Sequence, residues 1–355
     1  MVRSSPLAAR VDALLRAVAA FDVDGFYAAL PAIAQSAGEA APEEIQAALV
    51  RLEPALRPAT FALGGGLAGL LGQMAWNGTD PAAVMHLLAD RAADVLEQAV
   101  RFRALHREAL GDPPSPRDQD AAGAVLERFV GSAQRRGIDP DAAEMLVQAW
   151  FCAEEWVQPV LYLCQRAEVR ANLPQRERLT AAVAATRELY GTASWLWGLL
   201  RVVDNEQLIV LDRDFARTGR GYRITVGGIG DNFQLHILLA ATLIGDPGRG
   251  LLPGRRPTAA EFVAATDGNP QPPGGIRGCW NLVDARGEWI WNEGTPADIP
   301  RLDGVRLIAL DREPYARTWN AGRVYPRMAP RILIDGALSP GEAAHWLGRI
   351  GAPRT

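Results

Sequence analysis

The sequence predicts an α+β protein in two parts. An all-helical N-terminal region is followed by an internally duplicated α+β domain of mostly antiparallel strands with one helix per copy. The duplication shows as a repeated hexapeptide, Leu-Ile-Val-Leu-Asp-Arg at 208–213 and Leu-Ile-Ala-Leu-Asp-Arg at 307–312, and such internal similarity indicates a repeated structural unit. Around both hexapeptides, apolar runs of strand length are rich in β-branched and aromatic residues. Before residue 185, apolar residues recur at helical spacing instead.

The similarity between the two copies extends beyond the hexapeptide. The offset between matched positions grows along the unit, which predicts that insertions lie in loops, because a one-residue slip inside a strand turns every side chain to the other face. The matched blocks are Trp195-Leu196-Trp197 with Trp289-Ile290-Trp291, Phe215-Ala216-Arg217-Thr218 with Tyr315-Ala316-Arg317-Thr318, Gly219-Arg220-Gly221-Tyr222 with Gly322-Arg323-Val324-Tyr325, and Arg223-Ile224 with Arg331-Ile332.

Each copy is predicted to form strands followed by a helix. The Trp-x-Trp blocks are interpreted as strands, and residues 280–283 and 289–291 flank Asp284-Ala285-Arg286-Gly287, a pattern typical of a hairpin. Asp231 and Ser339 are placed as N-caps of helices over 233–244 and 342–350. The predicted limits are a helical region at 1–185, with a sub-boundary near 112–118, and a duplicated domain at 186–355. In that domain copy one takes about 187–245, the connecting segment 246–278 and copy two about 279–351.

Two long helices mark the N-terminal region. One begins at Asp80-Pro81 and ends at Gly111, and the other begins at Asp139-Pro140. Pro159 is expected to kink or break the second helix, because proline removes a backbone donor and clashes with the preceding turn. The uncharged stretch 58–79 has the length of a membrane span, but the glycines at 64, 65, 66, 69 and 72 favour a buried, close-packed helix.

Composition excludes several function classes. All 37 basic residues are arginine, which excludes a Schiff-base lysine, a P-loop lysine and the ATP-binding lysine of protein kinases. Residues 1–200 hold 18 Arg against 24 acidic residues, and residues 201–355 hold 19 against 17. Neither half is basic enough to predict a nucleic-acid partner. The three cysteines have no metal-like spacing or disulfide pattern, and no signal-peptide pattern is visible. Together these features predict a cytoplasmic protein with reduced thiols, no metal and no cofactor.

Arginine and tyrosine residues kept in both copies are the candidate ligand-binding residues. A guanidinium group matches the geometry of carboxylate or phosphate, and the glycine-rich turn before the first helix could add backbone N–H donors to an anion site. The alternative is structural: Asp–Arg pairs and Arg–Tyr stacking would join loops to strands at the same place twice. The candidates are Arg217, Arg220, Tyr222, Gly228 and Asp231 in the first copy, and Arg317, Arg323 and Tyr325 in the second.

His236 and Cys279 are the candidate catalytic residues. His236 could serve as a base, and Cys279 could be a nucleophile if a basic partner lies near it. The alternatives are an ordinary helix residue and an inert, partly buried thiol. The sequence contains no Gly-x-Ser-x-Gly elbow, no His-Glu-x-x-His motif and no cluster of metal ligands.

Three functions stay open at this level. The first is a cytoplasmic interaction or regulatory protein whose duplicated domain binds a protein partner or a small anionic ligand, with no membrane or nucleic acid involved. The second is a group-transfer enzyme in which Arg217, Arg317 and the turn at 227–231 orient an anionic substrate for His236. The third is a structural subunit whose duplicated domain forms a homo-oligomer.

Overall fold

The computed structural model describes residues 5–214, 220–267, 272, 274–313, 318–319 and 322–352. Over these residues the chain is an α+β protein with thirteen helices and 57% helical content. The predicted order of N-terminal helices before a C-terminal sheet is confirmed. The chain divides into two compact units, Met1–Leu200 and Arg201–Thr355. Among the described helices, none combines the length and hydropathy that a membrane crossing requires.

The first unit is helical, and the sequence signals locate the end of one long helix and the start of the other, whereas the helix predicted from Asp80-Pro81 begins at Met85. The helix after Asp80-Pro81 ends at Gly111, whose φ of 88° is in the left-handed region. Asp139 caps the other by accepting hydrogen bonds from two backbone N–H groups. The helices are α1 (Pro6–Ala19), α2 (Val23–Glu39), α3 (Pro42–Leu56), α4 (Phe61–Asn77), α5 (Met85–Leu110), α6 (Ala122–Gln134), α7 (Pro140–Leu163), α8 (Ala167–Ala171), α9 (Arg176–Thr186) and α10 (Gly191–Leu200).

The uncharged stretch forms a buried, close-packed helix, as predicted. Its glycines let α4 approach the backbone of α7: a Cβ on Gly64 would lie 2.4 Å from the ring of Trp156, and one on Gly72 would lie 2.6 Å from Cβ of Pro159. The indole N–H of Trp156 donates to the carbonyl of Phe61 at 2.9 Å. The absence of charge in α4 therefore reflects packing inside the helical unit.

Two expectations for this unit need correction. Pro159 does not break α7, which continues to Leu163. The ring of Pro159 packs against Gly72, where any side chain would overlap it. The block Trp195-Leu196-Trp197, interpreted as a strand, lies in α10. Two tryptophans over three residues are too short a pattern to separate a strand from a helix. The helical unit accordingly ends at Leu200 and not at residue 185.

The second unit is built on a mixed sheet. The strand order is β4-β6-β1-β2-β8, with β5 attached to β6, while β3 and β7 form a separate pair. Strands β1 and β6 are parallel, and the other pairs are antiparallel. The elements are β1 (Glu206–Asp212), β2 (Gly221–Gly227), α11 (Asn232–Leu243), α12 (Ala259–Asp267), β3 (Ile276–Arg277), β4 (Asn281–Val283), β5 (Arg301–Leu302), β6 (Val305–Asp311), β7 (Thr318–Trp319), β8 (Arg331–Ala337) and α13 (Pro340–Leu347).

The predicted caps and hairpin of this unit are confirmed, but residues 289–291, interpreted as a strand, form none and make only an isolated bridge between Trp289 and Val283. Asp231 and Ser339 accept hydrogen bonds from the backbone N–H groups of Gln234 and Glu342, so each caps its helix. In the predicted hairpin the N–H of Ile290 donates to the carbonyl of Leu282 at 2.9 Å. Gly287 in the turn has a φ of 83°, which glycine adopts without strain.

Strands β1 and β6, which carry the two hexapeptides, are buried on both faces. One face carries Leu208, Val210, Ile308 and Leu310 under the apolar side of α11. The opposite face carries Ile209, Leu211, Leu307 and Ala309 under α13. This double burial explains the uninterrupted apolar runs of the two hexapeptides.

The two matched segments do not form two equal units. Strands β1 and β2 pair with each other, whereas β6 and β8 are separated in the sheet. Leu208 of β1 contacts the core under α11, but its sequence match Leu307 contacts the core under α13. Matched residues thus face opposite sides of the sheet, and the topology does not confirm the internal duplication.

The substitution Gly64→Ala is expected to destabilise the helical unit by about 1–3 kcal/mol, because the new methyl group overlaps the ring of Trp156. Gly69→Ala in the same helix is the matched control, since nothing lies within 4 Å of its Cβ position. That change should be neutral or stabilise by up to about 1 kcal/mol. Guanidinium denaturation followed by circular dichroism measures both, and equal effects would contradict the packing described for α4.

Candidate functional site

The predicted ligand-binding residues of the first segment lie at opposite ends of β2. At its beginning, Arg220 Nη2 donates to the carbonyl of Pro247 at 2.6 Å, and the hydroxyl of Tyr222 donates to the carbonyl of Gly250 at 2.9 Å. Burial raises the pKa of Tyr222. Both side chains hold the turn at 247–250, which is the structural role that the sequence left open.

At the other end of β2, the glycine-rich turn is packed tightly. Gly228 has a φ of 67°, and a Cβ there would lie 2.7 Å from the carbonyl oxygen of Ala329. A Cβ on Gly230 would lie 2.5 Å from the carbonyl of Arg323 and 3.0 Å from the ring of Tyr325. These glycines therefore let the loop at 322–329 pack closely against the turn, and that loop occupies the space that a phosphate would need.

Asp231 joins that loop to the start of α11. One carboxylate oxygen caps the helix, and the other accepts the N–H groups of Gly322 and Arg323 at 3.0 and 2.6 Å. Burial raises the pKa of Asp231, although these hydrogen bonds oppose the shift. Both carboxylate oxygens are hydrogen-bonded inside the protein, so Asp231 holds the loop against the start of α11.

The first N–H groups of α11 are also engaged. Asn232 N donates to the carbonyl of Gly294 at 2.9 Å, and Phe233 N donates to the carbonyl of Asn292 at 3.1 Å. A helix N-terminus binds an anion only through free N–H groups. These two N–H groups are therefore not available to an anion, and the ligand-binding role of the turn stays a prediction.

Of the remaining predicted arginines, Arg323 contributes its backbone N–H to Asp231. Arg217 and Arg317 lie outside the described residues. Arg213, also kept in both segments, forms an ion pair with Asp311 of the other segment. Burial raises the pKa of Asp311, while Arg213 opposes the shift. This pair joins the ends of neighbouring strands.

His236 and Cys279 are brought together, but not as a catalytic pair. The Nε2 atom of His236 accepts the backbone N–H of Cys279 at 3.1 Å and that of Trp280 at 3.3 Å. A ring nitrogen that accepts two N–H groups carries no proton and has no lone pair available for a substrate. The contact of His236 is with the main chain at residue 279, so the histidine positions that segment.

The thiol of Cys279 is held in its protonated form. Burial raises the pKa of Cys279 to about 11, against the opposing effect of Arg255. Arg255 is itself bound to Glu261 at 2.8 Å. A nucleophilic cysteine needs a lowered pKa, so this environment does not activate the thiol.

Two adjoining clefts in the second unit form the candidate site, and we call them the tryptophan clefts. They lie on either side of residues 289–291 and have volumes of about 180 and 260 Å³. Trp291 is 71% exposed between them. The smaller cleft is lined by Phe233, Asn281, Trp289, Ile290, Trp291, Asn292, Glu293, Thr318 and Trp319, and the larger by Asn232, Asp284, Trp289, Ile290, Trp291, Gly294, Asp298, Ile299 and Pro300.

Secondary structure fixes the cleft walls from three directions. The hairpin after β4 carries Trp289 and Trp291, whose ring centroids are 6.4 Å apart. The first turn of α11 supplies Phe233, which contacts Trp319 of β7 with 5.6 Å between ring centroids. Trp319 also contacts His236, with ring centroids 4.9 Å apart. The histidine thus supports the cleft wall from the core side.

Two buried polar atoms of the cleft walls have no hydrogen-bond partner within the described part of the chain. They are Oδ1 of Asn232 and Nε1 of Trp319. Asn232 is 1% exposed, and its Nδ2 donates to the carbonyl of Trp291 at 2.8 Å, which fixes the orientation of the amide. An unpaired buried acceptor costs about 1–3 kcal/mol, so a donor from outside would stabilise this wall.

The charged groups that line the clefts are all carboxylates in the described structure. They are Glu293 in the smaller cleft, and Asp284 and Asp298 in the larger. Burial opposes ionisation of Asp298, but hydrogen bonds from Thr295 and the charge of Arg201 outweigh it and lower the pKa. The clefts therefore carry carboxylates beside aromatic rings, and the carboxylate of Asp298 is paired with Arg201.

Comparisons of the chain with protein-family models, with curated proteins and with solved structures find no match. Function must therefore be inferred from the chemistry of the clefts. Among the described residues, no group of three or more His, Cys, Asp or Glu is placed to hold a metal ion.

Ranking what both segments share found Trp289 and Trp291 but not their role in the clefts, and it missed Asn232, Glu293 and Trp319, which have no equivalent in the matched blocks. One further signal was present: Trp289-Ile290-Trp291 is followed by a polar, turn-forming stretch, Asn292-Glu293-Gly294.

The carboxylate of Glu261 is expected to make the free energy of unfolding of the second unit fall in acid. Burial would raise its pKa, but hydrogen bonds from Arg255, Thr258 N and Arg277 N lower it from 4.5 to about 2. A lowered pKa stabilises the fold above pH 4.5, and that contribution disappears as the pH falls towards 2. Glu261→Gln should remove a dependence on the order of 2–3 kcal/mol in this range.

The measurement is urea denaturation at a series of pH values from neutral to acid. Glu293→Gln provides the control, because Glu293 is exposed. Parallel stability curves for the wild type and Glu261→Gln would show that Glu261 has no such role.

Proposed function

We propose that the second unit is a protein-interaction module whose tryptophan clefts receive a cationic side chain of a partner protein. The observation that carries this proposal is the combination of exposed and half-buried indole rings with a buried, unpaired acceptor, Asn232 Oδ1. An interaction protein is also the function that the sequence placed first. The charge preference differs from the anionic ligand considered there.

A side chain fits the clefts better than a whole cofactor. Their volumes of about 180 and 260 Å³ are below the roughly 300–1,000 Å³ typical of sites for drug-sized ligands. Trp291 is 71% exposed, and tryptophan is among the residues most enriched at the energetic centres of protein interfaces. Covering that ring requires a surface, which a partner protein provides.

A cation fits the clefts better than an anion. The faces of indole rings attract guanidinium and ammonium groups, by about 0.5–2 kcal/mol depending on burial. Glu293 adds negative charge to the smaller cleft, and Asn232 Oδ1 in the larger cleft can accept an N–H. The indole N–H of Trp319 would donate to a backbone carbonyl of the entering segment.

The enzyme alternative has less support. The base candidate His236 is occupied by two backbone N–H groups, and burial keeps the nucleophile candidate Cys279 protonated. The described candidates for substrate binding are divided between two ends of β2. We retain the cytoplasm as the proposed compartment, since the three cysteines are free thiols. We also retain a common origin of the two matched segments as part of the proposal.

A capped Gly-Arg-Gly peptide should shift the indole N–H resonances of Trp291 and Trp319 in protein labelled with ¹⁵N at tryptophan. The matching citrulline peptide, which is similar in shape and uncharged, should bind at least about tenfold more weakly, because it loses the cation–π and carboxylate contacts. Absence of any shift with the arginine peptide at about 10 mM would refute the proposal.

Trp291→Ala is expected to weaken the binding of the arginine peptide by about tenfold or more, since it removes the exposed ring. Trp195→Ala is the matched control, because Trp195 is 42% exposed and lies in the helical unit. Equal affinities in all variants would place the peptide elsewhere.

A further inference from the structure

Strand β8 ends the sheet, and its outer edge is open. It pairs with β2 on one side, and no described strand pairs with the other. The strand is seven residues long, and its middle is apolar and exposed, with Leu333 54% and Ile334 40% accessible. Proteins usually protect such an edge, since its free N–H and C=O groups can pair with another strand.

The sequence of this edge is complementary to itself when read in the antiparallel direction. Residues 331–335 are Arg-Ile-Leu-Ile-Asp. If two copies pair with Leu333 opposite Leu333, each Ile332 faces the partner's Ile334 and each Arg331 faces the partner's Asp335. Opposite charges and apolar residues in directly opposed positions stabilise an antiparallel pair.

The geometry of β8 is compatible with this register. Asp335 Oδ2 accepts a hydrogen bond from Thr225 Oγ1 at 2.7 Å, and Thr225 is paired with Leu333. Asp335 therefore lies on the same face as Leu333. Its carboxylate also accepts a hydrogen bond from Gln207 Nε2 at 3.3 Å, and Arg331 donates to Asn205 Oδ1, so pairing with a second copy would exchange these contacts. The irregularity in the β2–β8 pairing comes at Asp335, so residues 331–334 keep a regular ladder.

From these observations we propose that a second copy of this chain pairs with the open edge of β8 in an antiparallel manner. The pairing is centred on Leu333 and joins the two sheets across a twofold axis. The partner is a second copy because the edge of β8 needs an opposing strand with an acidic residue facing Arg331 and a basic residue facing Asp335. A second β8 in the antiparallel direction is such a strand. This inference is independent of the function proposed for the tryptophan clefts, which use other residues.

The expected dimer is weak. A ladder of five residues buries less than the roughly 1,200 Å² of a stable interface, so we expect a dissociation constant on the order of micromolar or weaker. Sedimentation velocity of the full chain over about a hundredfold range of concentration should show a reversible monomer–dimer equilibrium. A monomer at every concentration would overturn the proposal and would mean that Asp335 and the irregularity protect the edge.

Charge reversal tests the register directly. Arg331→Asp alone or Asp335→Arg alone places like charges opposite each other twice, and each should weaken the dimer about tenfold or more. A mixture of the two variants restores opposite charges at both positions and should form a heterodimer. Arg286→Asp, at an exposed arginine in the hairpin turn, is the control and should leave self-association unchanged.

Cross-linking gives a second measurement that does not depend on charge. L333C places two thiols opposite each other, so oxidation should yield a covalent dimer. I334C separates them by a diagonal of roughly 7–8 Å and should not do so. A dimer that resists charge reversal and does not cross-link through L333C uses another surface, and that result would also overturn the proposal.

Discussion

The second unit depends on the parallel pairing of β1 with β6. These strands bring together residues about a hundred positions apart in the chain, and both are buried on two faces. Removing either strand would expose the core under α11 and the core under α13 at once. The hairpin that lines the tryptophan clefts follows β4, which pairs with β6, and the edge strand β8 is joined to β1 through β2. The positions of the clefts and of β8 therefore depend on the pair of β1 and β6.

The buried polar groups of the unit are used mainly to connect segments that are distant in sequence. Asp231 joins α11 to the loop at 322–323, His236 holds the main chain at 279–280, and Glu261 holds Arg277 N. Each acts on backbone N–H groups and so fixes a chain path. Burial raises the pKa of Asp231, and hydrogen bonds lower that of Glu261. Both shifts reflect architecture, which is why perturbed carboxylates alone do not locate the functional site.

Much of the local structure could be predicted from the sequence. The caps at Asp231 and Ser339, the hairpin around Gly287 and the buried character of α4 all follow from short-range rules. The pairing of β8 with β2 could not be predicted, because the pattern of a strand does not name its neighbour. The repeat also suggested that matched residues would share an environment, yet Leu208 and Leu307 lie in different cores.

The candidate site escaped prediction for a related reason. Asn232 and Trp319 meet only because α11, the hairpin and β7 converge, and no spacing in the sequence records that convergence. The arginines stand out in the sequence because both segments contain them, but Arg213 forms an ion pair and Arg220 holds the turn at 247–250. Of the shared residues that the structure describes, Arg213, Arg220 and Tyr222 hold the fold together, whereas Trp289 and Trp291 line the clefts.

The attachment of the hairpin to the first turn of α11 has a dynamic consequence. Three hydrogen bonds, from Asn232 N, Phe233 N and Asn232 Nδ2, connect the helix start to the carbonyls of residues 291–294. Fraying of this helix end and opening of the clefts are therefore one event. Slow amide exchange at Asn232 and Phe233 would report a closed cleft wall, and an occupant that rests on Trp291 would lengthen the lifetime of the helix end beneath it.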